Sequence, residues 1–125
     1  MIEVENLTKH YGPRKAINNL TFQIAQGEVV GFLGPNGAGK STTMSILSCI
    51  LPASSGTARI RGYDTFEHSL EIRKIIGYLP ENPPLYPDMS VRDYLMFAAK
   101  IRRMTGKQTG TAVERVIENC SLKDV

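Results

Sequence analysis

Apolar residues near the front of the chain follow the two-residue period of β-strands. Leu20, Phe22 and Ile24 alternate with polar neighbours, which predicts a strand with one buried face. By contrast, the run from Val29 to Leu33 is apolar on both faces, as in a central parallel strand. Strands are predicted at residues 2–7, 20–24, 29–33, 57–60 and 76–79.

Helical spacing of apolar residues begins at Lys40 and returns in the second half of the chain. The first predicted helix ends before Pro52, and a brief helix follows Glu67. Ser90 and Asp93 resemble a capping box in front of a further amphipathic helix. Gly106 and Gly110 are interpreted as bracketing a linker, with a last helix from residue 111 onward. The elements together predict a mixed α/β fold.

A glycine-rich segment joins the apolar run at residues 29–33 to the first helix. Residues 34–41 read Gly-Pro-Asn-Gly-Ala-Gly-Lys-Ser and fit the pattern G-x-x-x-x-G-K-[ST] in full. A strand, such a turn and a helix N-terminus form the arrangement that holds a nucleotide triphosphate. The motif therefore predicts binding of ATP or GTP with Mg²⁺.

Each residue type in this loop suits a part of a triphosphate. Gly34, Gly37 and Gly39 allow positive φ angles and close approach, so that successive amides form an anion nest. Lys40 is predicted to reach the β- and γ-phosphates, and the helix start adds unsatisfied N–H groups. The Ser41 hydroxyl is predicted to ligate Mg²⁺. The predicted cradle residues are Gly34, Asn36, Gly37, Ala38, Gly39, Lys40, Ser41 and Thr42.

Composition limits the remaining classes of function. The 125 residues suffice for one domain; 42% of them are hydrophobic and 22% charged, which is ordinary for a globular chain. No apolar run approaches a membrane span, and the N-terminus has no signal-peptide core, so secretion is not expected.

The basic residues between Lys100 and Lys107 are interpreted as a solvated helix end, and no nucleic acid partner is expected. Cys49 and Cys120 are expected to be buried thiols.

The order of these motifs resembles the N-terminal half of the ATP-binding domain of ABC transporters. The resemblance rests on an early Tyr11, on the glycine-rich loop, and on the segments Ser55-Gly56-Thr57 and Ile76 to Glu81. Within this family, the chain is most similar to ATPase subunits of bacterial ABC-2-type exporters, including gliding-motility systems. It implies an incomplete domain over residues 1–125. An N-terminal antiparallel β piece and P-loop core would occupy 1–86, and the start of a helical subdomain 87–125.

The resemblance also implies roles for individual residues. Tyr11 matches the aromatic residue that stacks on adenine, and residues 36–42 match the phosphate cradle. Glu81 stands where the family usually has the glutamine that touches Mg²⁺ or water. A carboxylate can ligate Mg²⁺ but brings negative charge near the γ-phosphate, and a solvated loop acid is the alternative reading. Lys40 and Glu81 are the candidate catalytic residues, with Ser41 and Glu81 as candidate Mg²⁺ ligands.

The implied partners are a transmembrane permease and a second ATP-binding subunit, at the cytoplasmic face of the cell membrane. Three alternatives stay open. One is an ABC-type ATPase without transport, such as a translation or DNA-repair relative. Another is a GTPase, although the chain has no N-K-x-D motif. The last is a stand-alone nucleotide-binding module.

Several motifs of the resembled family do not occur in the sequence. It contains no segment similar to the LSGGQ signature, no strand ending in aspartate and glutamate, and no late histidine matching the family's. In-line attack on a γ-phosphate needs a positioned water and an orienting or basic residue. These 125 residues are therefore expected to bind Mg-ATP weakly with little or no turnover. Exposed apolar sheet edges are expected to favour self-association.

Overall fold

The computed structural model describes residues 1–123 and divides them into two compact units. The first unit is Met1–Tyr78, and the second begins at Leu79. The first contains a sheet with two short helices, and the second contains two longer helices. This is the predicted α/β architecture, with an antiparallel β piece at the front and a helical segment at the end. No helix in the described residues is both long and apolar enough to cross a bilayer.

The sheet of the first unit has four strands, all paired in antiparallel fashion. They are β1 (Ile2–Tyr11), β2 (Arg14–Ile24), β3 (Ser55–Ile60) and β4 (Tyr63–Asp64), in the order β2-β1-β3-β4. The hairpin of β1 and β2 turns so tightly that Tyr11 pairs with Arg14. The predicted strands at 2–7, 20–24 and 57–60 are confirmed, and each is longer than the pattern indicated because backbone pairing continues past the apolar residues.

One hydrophobic core holds the first unit together. The inward residues of β1, Val4 and Leu7, lie under helix α1 (Lys40–Leu47) and helix α2 (Ser69–Ile75). Leu7, Ile46 and Ile72 have no exposed surface. Burying such a side chain contributes about 1.5–3 kcal/mol. Because Ile46 belongs to α1, this core fixes the helix whose N-terminus carries the glycine-rich loop.

Two predicted strands are wrong. Neither residues 29–33 nor residues 76–79 form a strand in the described chain. Val29 and Leu33 are almost fully exposed, at 102% and 93%, and Leu79 is 82% exposed. A strand forms only when a neighbour completes its backbone hydrogen bonds, and neither segment pairs with the four-stranded sheet. The apolar composition of these two segments therefore does not by itself make them strands in the described residues.

Helix α1 ends earlier than predicted. It stops at Leu47 because Cys49 adopts a left-handed conformation (φ 58°), well before Pro52. Cys49 is buried as expected, and burial raises the pKa of its thiol. The expectation for Cys120 is wrong, since this thiol is exposed just past the last helix.

The second unit is a pair of packed helices, α3 (Val91–Ile101) and α4 (Gly106–Asn119). Ser90 caps α3 as predicted, its Oγ accepting from the Asp93 amide at 3.1 Å. The linker predicted between Gly106 and Gly110 is wrong, because both glycines lie within α4. Packing of α4 residues such as Val113 and Ile117 outweighs the poor helix propensity of glycine.

Candidate nucleotide-binding site

The glycine-rich segment forms a loop that leads directly into α1. Its turn is closed by the Ala38 amide donating to the Pro35 carbonyl at 3.2 Å. Gly37 and Gly39 have positive φ angles of 83° and 88°, which L-residues with a side chain rarely adopt. The Gly39 carbonyl accepts from both the amide and the hydroxyl of Thr43, at 2.8 and 2.9 Å. The loop is therefore anchored to the first turn of the helix.

Gly39 is fixed by its neighbours as well as by its backbone angle. A Cβ at this position would lie 2.5 Å from the Ala16 carbonyl oxygen and 3.1 Å from Cγ1 of Ile17. Both belong to β2, so the loop presses directly against the sheet. A Cβ at Gly37 would meet nothing closer than 3.7 Å. Gly39 thus sets the position of the loop, whereas Gly37 lies at its open side.

The side chain of Lys40 folds back over the loop that precedes it. Its Nζ donates to the carbonyl oxygens of Gly34 and Pro35, at 2.6 and 2.7 Å. No ion pair of Lys40 with a carboxylate occurs among residues 1–123. The ammonium charge is therefore held at the mouth of the loop by neutral oxygens, which a more strongly attracting anion can replace.

The first turn of α1 presents unengaged polar groups. Ser41 is exposed, and no described residue makes a hydrogen bond with its hydroxyl. The turn contains no acidic residue, so the positive end of the helix dipole is not neutralised locally. Thr42 is half-buried one residue further on, and Asn36 and Ala38 are exposed in the loop. Anion binding and Mg²⁺ ligation are the chemistry that these groups fit.

Tyr11 lies at the end of β1 with 49% of its surface exposed. The Nζ of Lys9 lies 5.5 Å from the centroid of the Tyr11 ring and also donates to the Pro52 carbonyl at 2.7 Å. Sequence reasoning missed this lysine, because a single cation two residues before an aromatic is no recognised motif. The ring is thus an accessible aromatic surface in the same unit as the loop.

Arg14 is a second cation that the sequence did not single out. It is the strand partner of Tyr11, and its Nη2 would lie 3.7 Å from a Cβ on Gly37. The hairpin turn therefore brings a guanidinium next to the open side of the loop. The spacing of Arg14 from the loop along the chain gave no signal, since the contact depends on how the hairpin packs.

Glu81 lies in the second unit, close after its start. Its side chain is exposed, and its carboxylate makes no hydrogen bond or ion pair with any described residue. Among the described residues, no group of three or more His, Cys, Asp or Glu side chains is arranged to hold a metal. A Mg²⁺ ion bound with a nucleotide does not need such a group, because phosphates and waters supply most of its ligands.

Comparison with known proteins identifies the family to which the chain belongs. The family model described as ABC transporter matches residues 17–125. The linearmycin resistance ATP-binding protein LnrL of Bacillus subtilis is 34% identical over 99% of this chain and 40% of its own length. The bacitracin transport ATP-binding protein BcrA of Bacillus licheniformis is 36% identical over 98% of this chain and 39% of its own. The chain thus spans about two fifths of these relatives.

Solved structures agree with the fold. An ATP-binding subunit of an ABC transporter superposes with a TM-score of 0.73 at 30% identity, over 85% of this chain and 44% of that one. An ATP-binding cassette in a dimeric post-hydrolysis state, bound to ADP and Pi, gives 0.77 at 25% identity, over 94% of this chain and 56% of that one. The predicted fold class and family resemblance are both confirmed. The chain belongs to the ABC transporter family of ATP-binding, nucleotide-binding ATPases.

Proposed function

We propose that these residues bind Mg-ATP for a full-length subunit that hydrolyses ATP to power transport across the cytoplasmic membrane. The observation that carries this proposal is the closed glycine loop at the start of α1, with the Lys40 ammonium held by two loop carbonyls. An ammonium without a carboxylate partner beside a glycine-rich turn at a helix N-terminus suits a polyphosphate. The family membership adds that the polyphosphate is that of a nucleotide.

Binding in this proposal begins with an exchange at Lys40. The ammonium leaves the carbonyls of Gly34 and Pro35 and donates to phosphate oxygens, which carry charge and attract it more strongly. Amides of the loop and of the first helical turn donate to the remaining oxygens. Loop amides already held by the Gly37 and Gly39 geometry need no reordering, which lowers the entropic cost of binding.

We propose Ser41 as the protein ligand of Mg²⁺. Its hydroxyl is exposed and unengaged at the start of α1, which fits a hard cation that prefers oxygen. When bound, Mg²⁺ neutralises phosphate charge. Glu81 is proposed as a further oxygen ligand, with a solvated loop acid as the alternative. Tyr11 is proposed to stack on adenine, supported by the exposure of its ring.

The proposed assembly comprises a transmembrane permease and a second ATP-binding subunit at the cytoplasmic face of the membrane. Relatives named for linearmycin resistance and bacitracin transport support the transport role, and a relative described as dimeric supports the second subunit. Residues 1–86 are proposed to supply the β piece and P-loop core, and residues 87–125 the start of a helical subdomain. Copurification of the full-length protein with a permease tests this part.

We further expect these 125 residues alone to bind ATP without efficient turnover. They contain no segment similar to the signature motif and no aspartate-glutamate pair at a strand end. Phosphoryl transfer to water requires an orienting or basic residue beside the γ-phosphate. Robust hydrolysis by these residues that disappears in Lys40→Ala would refute this expectation.

Calorimetric titration with Mg-ATP tests the nucleotide site. Lys40→Ala is expected to weaken binding at least tenfold, because it removes a charge-assisted contact of about 1.5–3 kcal/mol. Lys74→Ala, which removes the same charge from the exposed side of α2, should bind as the wild type does. Equal affinities for Lys40→Ala and the wild type would contradict the proposal, as would GTP displacing ATP preferentially.

A further inference from the structure

Arg14 is the cation beside the glycine-rich loop whose side chain has no structural role of its own. Its side chain is exposed, and its guanidinium forms no ion pair or hydrogen bond with any residue among 1–123. By contrast, Arg59 and Arg73 of the same unit each have a partner, the carboxylate of Glu5 and the carbonyl of Cys49. The guanidinium of Arg14 is therefore free to bind a ligand without losing a contact within the fold.

The hairpin places this guanidinium beside the glycine-rich loop, on the strand that pairs with Tyr11. Arg14 is the register partner of Tyr11, the proposed adenine platform. Its Nη2 lies close to Gly37, 3.7 Å from where a Cβ would be. Gly37 has no side chain and a positive φ angle, so the approach from this side is open. A phosphate held in the loop at Gly37 would therefore lie within reach of this guanidinium.

We propose that Arg14 is a binding residue for the polyphosphate of the nucleotide, donating to phosphate oxygens from the open side of the loop opposite the helix. This deepens the proposed function and rests on it. Arginine offers a planar fork of donors that matches two phosphate oxygens and remains charged at any physiological pH. Lys40 and Arg14 would then hold the polyphosphate from two sides, one from the helix and one from the sheet.

The neighbouring Lys15 offers a matched control. It follows Arg14 on β2, so its side chain leaves the opposite face of the strand. Its Nζ donates to Oδ1 of Asn18 at 3.0 Å, within the same strand. Arg14→Gln and Lys15→Gln therefore remove the same charge from adjacent positions, and only the first removes it from the loop.

The experiment is calorimetric titration of four proteins with Mg-ATP and with Mg-tripolyphosphate: the wild type, Arg14→Gln, Arg14→Lys and Lys15→Gln. Arg14→Gln should weaken the binding of both ligands about tenfold. This loss corresponds to the lower end of the free-energy range for a hydrogen bond to a charged group. Arg14→Lys should recover part of this loss, and Lys15→Gln should bind like the wild type. Circular dichroism confirms that each variant keeps the secondary structure of the wild type.

Three outcomes would overturn the inference. If Arg14→Gln bound both ligands with wild-type affinity, a contact between Arg14 and the phosphates would be excluded. An equal loss in Lys15→Gln would indicate a general effect of net charge. A loss for Mg-ATP alone, with tripolyphosphate unchanged, would place the contact at the sugar or base instead of the phosphates. If the wild type bound neither ligand and Lys40→Ala made no difference, the proposed function itself would fall, and this inference with it.

Discussion

Gly39 offers the sharpest test of how the loop is positioned. Gly39→Ala places a methyl group 2.5 Å from the Ala16 carbonyl oxygen, a distance that forces loop or strand to move. Gly37→Ala is the matched control, because Gly37 has nearly the same φ angle and its Cβ would have no contact closer than 3.7 Å. The two variants share the backbone strain and differ in the clash.

The magnitudes follow from these two terms. A side chain in the left-handed region costs about 1–2 kcal/mol. Alanine has less conformational freedom than glycine in the unfolded state, and this difference offsets about 0.4–1 kcal/mol of the backbone cost. Gly37→Ala should therefore lose about 0.5–1 kcal/mol of unfolding free energy. Overpacking against β2 adds about 1–3 kcal/mol for Gly39→Ala, for a total of about 1.5–4 kcal/mol.

Urea unfolding followed by circular dichroism measures the difference. With a denaturant slope of about 1–3 kcal/mol per M, the two midpoints should differ by about 1 M, Gly39→Ala being lower. Equal midpoints would refute the reasoning, since they would mean that the loop does not press on the sheet. A lower midpoint for Gly37→Ala would do the same.

Three further predictions concern other parts of the molecule. Ser90→Ala should lower the unfolding free energy by about 1 kcal/mol in urea titration, because it removes the α3 cap. Ellman's reagent at pH 8 should label exposed Cys120 before Cys49, whose pKa is raised chiefly by burial; Cys49 reacting first would contradict this. The hydrogen bond from Arg92 lowers the pKa of the Glu114 carboxyl below its ordinary 4.5. The stabilising contribution of the ionised Glu114 carboxylate is therefore complete above pH 4.5 and is lost as the pH falls through the lower folded-state pKa. The urea midpoints of Glu114→Gln and the wild type should accordingly converge at low pH.

Local signals in the sequence were sufficient to predict the glycine-rich turn before α1 and the strands of the front hairpin. The glycine spacing, Lys40 and Ser41 lie within eight residues of each other, so the pattern can be recognised without knowledge of distant contacts. The alternation at residues 20–24 likewise identified β2, because the buried face of a strand is visible in its own sequence.

The remaining features depend on partners that are remote along the chain. Residues 29–33 have the composition of a central strand, yet pairing decides whether such a run becomes one. Gly106 and Gly110 carry the usual signals of a linker, and packing of α4 on α3 overrides them. Arg14 reaches the loop because the hairpin folds over it, a contact between residues whose separation has no characteristic spacing.

The loop at residues 34–42 is proposed to cradle the phosphates of a nucleotide. The most direct measurement is a titration of ¹⁵N-labelled protein with Mg-ATP, following each backbone amide by NMR. The account predicts that the largest shift changes fall on the amides from Gly37 to Ser41, with smaller ones at Tyr11, and that Lys40→Ala abolishes them. Saturable changes confined to residues outside this loop, or none at millimolar Mg-ATP, would contradict it.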